Sequence, residues 1–113
     1  MLIDKRNPKT VIVDGWNMTV YNVSIDLVHR KLDVCRLVFN DKDINFDILR
    51  EFEGSFIVEG KTDVILDDNK HEMTLSDGNY KVFSLHNVEF RLFERGKKFL
   101  KIGFHGHLFE DLK

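Results

Sequence analysis

Two imidazoles separated by one glycine, His105-Gly106-His107, are the residues of this chain best placed to do chemistry. In an extended strand, positions i and i+2 project from one face, so both rings can reach one ion. Zinc or another transition metal needs a third ligand and usually a fourth. His86 is the best third candidate, because it stands just before the run expected to pair with the histidine strand. His71, Glu72, Glu89 and Cys35 are the remaining donors. Polar surface is the first reading of the pair. A metal site at His105, His107 and His86 is the second, and no other cofactor is implied.

Lys101 shares the histidine face, and Arg91 and Glu89 lie on the preceding run. With His86, His105 and His107 they make a candidate binding surface. Cross-strand charge pairing, routine in antiparallel sheets, is the simpler explanation of the same residues. Asp63, Asp67, Asp68, Asn69 and Glu72 gather around one turn. They lack the mid-loop glycine and twelfth-position glutamate of a calcium loop, and Asp and Asn favour turns for backbone reasons. Cys35, beside Val34 and Leu37-Val38-Phe39, reads as a buried and inert core thiol. Trp16 reads as a core residue rather than an exposed anchor. No phosphate loop, nucleophile elbow or nucleotide fingerprint is present.

The elements that must position these groups read as strands. Val88, Phe90 and Leu92 alternate with Glu89, Arg91 and Phe93. After Glu94-Arg95-Gly96-Lys97-Lys98, the pattern resumes with Leu100, Ile102, Phe104 and Leu108. A period of two over two runs joined by a Gly-bearing loop predicts a hairpin with one apolar face: Phe90, Leu92, Leu100, Ile102 and Phe104. Val11-Ile12-Val13 and Trp16 to Val20 flank Asp14-Gly15, the pair that supplies a tight hairpin turn. Asn22 to Leu27 alternates strictly, and with Leu32 to Phe39 it is read as a hairpin in preference to a helix over 24–39. Ile44 to Phe52 is the best helix candidate, since Ile44, Ile48 and Phe52 recur every four residues and Gly54 can close it. A strand through Ile44, Phe46 and Ile48 is the alternative. Short strands at Phe56 to Glu59, Asp63 to Leu66, Glu72 to Leu75 and Tyr80 to Leu85 complete a series of about nine.

These spacings predict an all-β or β-rich α+β fold. The expected architecture is one antiparallel sandwich or small barrel with at most one or two short helices. Residues 1–113 are read as one domain, with 1–9 a loosely ordered lead-in around Pro8. The apolar fraction is 42% and charged residues are 32%, which excludes a disordered chain. No apolar run is long enough for a spanning helix, and the first residues lack a signal-peptide core, so a cytoplasmic location is expected. The single cysteine agrees, since it permits no internal disulfide. The middle third is strongly acidic while both ends are net basic, which makes nucleic acid an unfavoured partner.

The favoured function is therefore a non-enzymatic protein-binding domain, such as a small inhibitor, immunity or assembly factor. One alternative is a metal- or small-molecule-binding barrel, enzymatic or not, centred on the His105/His107 strand. The other is a structural homo-oligomer joined through sheet edges, which little proline protects.

Overall fold

Asp14 and Gly15 sit at φ of +49° and +83°, the two left-handed residues that a tight primed turn demands. They join β1 (Lys9–Val13) to β2 (Trp16–Leu27), with Val13 opposite Trp16 and Lys9 opposite Val20. The computed structural model describes residues 3–28, 34–39, 44–60, 66–76, 78 and 81–111. The remaining strands are β3 (Val34–Phe39), β4 (Ile44–Glu59), β5 (His71–Ser76), β6 (Val82–Arg95) and β7 (Phe99–Asp111). All pairings are antiparallel, in the order β2-β1-β5-β6-β7-β4-β3. A further pairing of β2 with β4 closes six of the strands into a barrel.

Closure explains where β3 lies. β2 pairs with the second half of β4, from Tyr21 opposite Ile57 to Leu27 opposite Phe52. β3 pairs with the first half, from Val34 opposite Leu49 to Phe39 opposite Ile44. The two therefore follow one line along the same edge of β4. The expected hairpin between Asn22–Leu27 and Leu32–Phe39 is thus replaced. In the second run Val34–Phe39 is a strand, as read, but its partner is β4. The helix expected over Ile44 to Phe52 is replaced by strand too. Ile44, Ile48 and Phe52 fit a period of two as well as one of four, and β2, β3 and β7 supply ladders on both edges. The described residues form seven strands rather than about nine, and no helix. The strand expected at Asp63 to Leu66 falls mostly outside the described residues.

Alternation breaks at two asparagines. Asn22 and Asn87 hold φ of +52° and +54°, a conformation Asn tolerates better than most side chains. Each sits at a register shift, between Tyr21 and Ser24 and between His86 and Glu89. A bulge moves the inward face by one residue. Met18 and Val20 point inward before the first bulge, and Val23 and Ile25 pack on the core after it. Phe83 and Leu85 precede the second, with Val88 and Phe90 after it. Val82 to Leu85 and Val88 to Phe93 thus belong to one bulged strand, β6; Tyr80 lies outside the described residues.

The inward faces meet in one core around Phe56, Phe90 and Phe104. The Phe56 ring lies 6.3 Å from Phe90, edge-on, and 6.0 Å from Phe104, stacked. Leu100 and Ile102 are buried with them, as expected. Leu92 is not: it is 39% exposed, next to a further register shift between Leu92 and Glu94. Trp16, also expected in the core, is 46% exposed, since it begins β2 at the rim directly after the turn. Near the lead-in, the Asp4 N–H donates to Asn22 Oδ1 at 3.0 Å, and Lys5 pairs with Glu59 at 2.6 Å.

Candidate binding groove

A groove of about 570 Å³ crosses the outside of β2, β4, β7 and β6. Small residues make the depression. Ser55, Gly103 and Arg91 form one cross-strand row, and Gly103 leaves the middle of it bare. The Phe93 ring lies over that bare backbone: a Cβ on Gly103 would fall 2.1 Å from Phe93 Cζ. Phe93 remains 60% exposed, so the groove carries an aromatic face open to solvent.

Charge surrounds this ring. Asp26, Glu53 and Glu89 line the groove with Arg91 and His105. Asp26 and Glu53 stand directly opposite each other on β2 and β4. Like charges in that position destabilise a sheet unless a cation lies between them. Among the described residues, no basic side chain forms an ion pair with either carboxylate. Glu89 is paired with Lys70.

The structure brings Glu89, Arg91 and His105 together in the groove and places His86, His107 and Lys101 nearby on the same outer surface. His105 and His107 share a face, with ring centroids 5.4 Å apart. Both turn toward β4, where their Nε2 atoms lie 3.4 and 3.6 Å from the Glu51 carboxylate. His107 Nδ1 is buried without a hydrogen-bond partner. His86 stands opposite His107 in register but binds Glu72 on β5 instead. Lys101 stands opposite Ile57 and Glu94, one row beyond the groove. The three histidines are adjacent in the sheet, yet His105 and His107 face Glu51 while His86 faces Glu72. Among the described residues, no three His, Cys, Asp or Glu side chains are grouped to hold a metal ion. Cys35 lies in β3 opposite Ile48, and the expectation about its thiol falls outside the described side chains.

Sequence reasoning missed a second arrangement. His71, at the start of β5, is 8% exposed and is the only buried polar or charged residue among those described. Its Nδ1 lies 2.5 Å from Asp14 Oδ2 and its Nε2 lies 2.7 Å from Asp67 Oδ1. Burial pushes the imidazole pKa down, but hydrogen bonds and charge from the two carboxylates outweigh it and hold the pKa above the usual value. The bond from His71 in turn holds Asp14 and Asp67 below the ordinary carboxylate range. The acidic turn read near Asp67 is a side-chain-capped turn, with the Asn69 N–H donating to Asp67 Oδ1 at 3.0 Å. The available signal was the strand pattern itself: His71, Met73 and Leu75 are one inward row.

No family model matches this chain, nor does any curated protein or solved structure. No helix among the described residues is long and apolar enough to cross a membrane.

Proposed function

We propose that this chain is a non-enzymatic protein-binding domain that receives a segment of its partner in the Phe93 groove. The observation that carries this reading is the exposed Phe93 ring lying on Gly103 beside Asp26 and Glu53, two facing carboxylates without a basic partner among the described residues. Exposed aromatics with an apolar body are characteristic anchors of protein interfaces. The facing carboxylates suit a basic side chain on the partner segment, which would relieve their repulsion. Arg91, unpaired among the described residues, suits an acidic group at the other side of the ring.

The groove volume also falls within the range of small-molecule pockets, which supports a small ligand as the second reading. A paired capture experiment tests the first. The full chain and its Phe93→Ser and Arg91→Glu variants are used as baits in lysate of the source cell. The expected result is a protein retained by the wild type and lost by both variants. An identical retained set on all three baits would remove the groove from consideration as the interface.

A further inference from the structure

We propose that Asp14, His71 and Asp67 form a proton-held latch, in which a doubly protonated His71 pins residues 66–70 against the barrel and loss of one proton releases them. The geometry itself demands both protons. An ionised carboxylate only accepts hydrogen bonds, and a neutral imidazole has one N–H to donate. Asp14 lies 2.5 Å from Nδ1 and Asp67 lies 2.7 Å from Nε2. A neutral ring would therefore point a lone pair at one of these oxygens. The imidazolium satisfies both, with the Phe90 ring 5.5 Å away as its apolar neighbour.

The charges around the ring are accounted for on every packed element. Asp14 comes from the β1–β2 turn and Asp67 from the segment before β5. Val88 is the register partner on β6. The chain neighbours face other partners, Lys70 with Glu89 and Glu72 with His86. Among the described residues, no third charged group pairs with the imidazole.

The latch is asymmetric, and this decides which side opens. Asp14 has other ties to β5: its N–H donates to the Glu72 carbonyl at 3.0 Å, and its Oδ1 accepts the Glu72 N–H at 2.9 Å. Among the described residues, Asp67 bonds otherwise only within its own turn, to the Asn69 N–H and side-chain amide. When His71 is neutral, its remaining proton stays with Asp14 and Asp67 lets go. Leu66, which packs on the core, is freed with it.

The direction in pH follows from the signs. His71 has a raised pKa, so its contribution is complete below the unfolded value near 6.5 and is lost as pH rises through the folded value. Asp14 and Asp67 have lowered pKa values, so theirs is present above the unfolded carboxylate value and lost as pH falls through the folded ones. The latch holds between these limits.

The test is an NMR titration of the full chain. At neutral pH both His71 nitrogens should be protonated, and the ring should titrate above the ordinary histidine value. The backbone shifts of 66–70 should move with the same midpoint, while those of Ile102 and Phe104 stay still. Asp67→Asn keeps an acceptor but removes the charge. It should lower the midpoint by about one unit or more and give 66–70 the shifts of the alkaline form already at neutral pH. A His71 midpoint at or below the ordinary value would overturn the latch. So would a raised midpoint that leaves 66–70 unmoved, or an Asp67→Asn midpoint equal to the wild type.

Discussion

Two glycines in this fold make opposite demands on a substituted methyl group. At Gly103 the added Cβ meets the Phe93 ring, with ring atoms at 2.1, 2.3 and 2.6 Å. That ring is the mobile end of an exposed side chain, and it can swing into water. At Gly54 the Cβ meets the Ser24 carbonyl oxygen at 2.0 Å, which is backbone in the β2–β4 seam, and Phe104 Cζ at 2.6 Å. Neither can retreat without opening the barrel. Gly103→Ala should therefore leave the melting temperature near wild type and abolish partner capture. Gly54→Ala should cost at least about 1–3 kcal/mol, the usual range for overpacking. Thermal melts and the capture assay on both variants check the pair. A destabilised Gly103→Ala, or a neutral Gly54→Ala, would contradict the packing described.

Elements here are shaped by where alternation is interrupted. β2 and β6 each carry a left-handed asparagine that moves the inward face by one residue, so both strands are apolar inside on either side of the bulge. Without the bulge at Asn87, a strand with Phe83 and Leu85 inside would turn Val88 and Phe90 out. β7 keeps one register with β4 from Phe99 to Asp111 and holds Leu100, Ile102 and Phe104 in the core. Phe104 is 4% exposed and stacks on Phe56, so Phe104→Ala should destabilise by about 3–5 kcal/mol. Chemical denaturation gives this directly, and an unchanged midpoint would refute the core assignment.

At the scale of the molecule, closure decides which edges remain. The extents of 54 × 28 × 27 Å describe an elongated shape. β3, the first half of β4 and the end of β7 continue past the strands that complete the ring. β4 and β7 are paired through thirteen registered positions and are flanked by further strands in the barrel. β3 has one partner among the described strands. Amide exchange should therefore be slowest in β4 at 52–58 and β7 at 100–106, and faster by orders of magnitude in β3. Exchange followed by mass spectrometry would show this, and equal protection of β3 would indicate a partner on its second edge. Such a partner would bring the homo-oligomer reading forward, because an unpaired strand edge accepts another strand.

Local pattern controls the turns and the final hairpin, and these are legible along the chain. Asp14-Gly15 dictated a primed turn because its two positions need left-handed backbone. The alternation around Glu94 to Lys98 dictated the final hairpin and the shared face of His105 and His107. Tertiary structure decided what depends on a distant partner. Ile44 to Phe52 fits either period, and only strands on both sides made it a strand. Asn22–Leu27 and Leu32–Phe39 read as a hairpin with each other, and closure paired β2 and β3 with β4 instead. The groove exists because Gly103 of β7 lies under Phe93 of β6 and across from Ser55 of β4, a row invisible along the chain. In the sequence His71 is only a spare donor for the histidine metal site. It became a buried imidazole held between two carboxylates only when folding placed Asp14, fifty-seven residues away, on one nitrogen and Asp67 on the other. Turn geometry is set by a few dihedrals, whereas charge burial and concavity are set by which strands become neighbours.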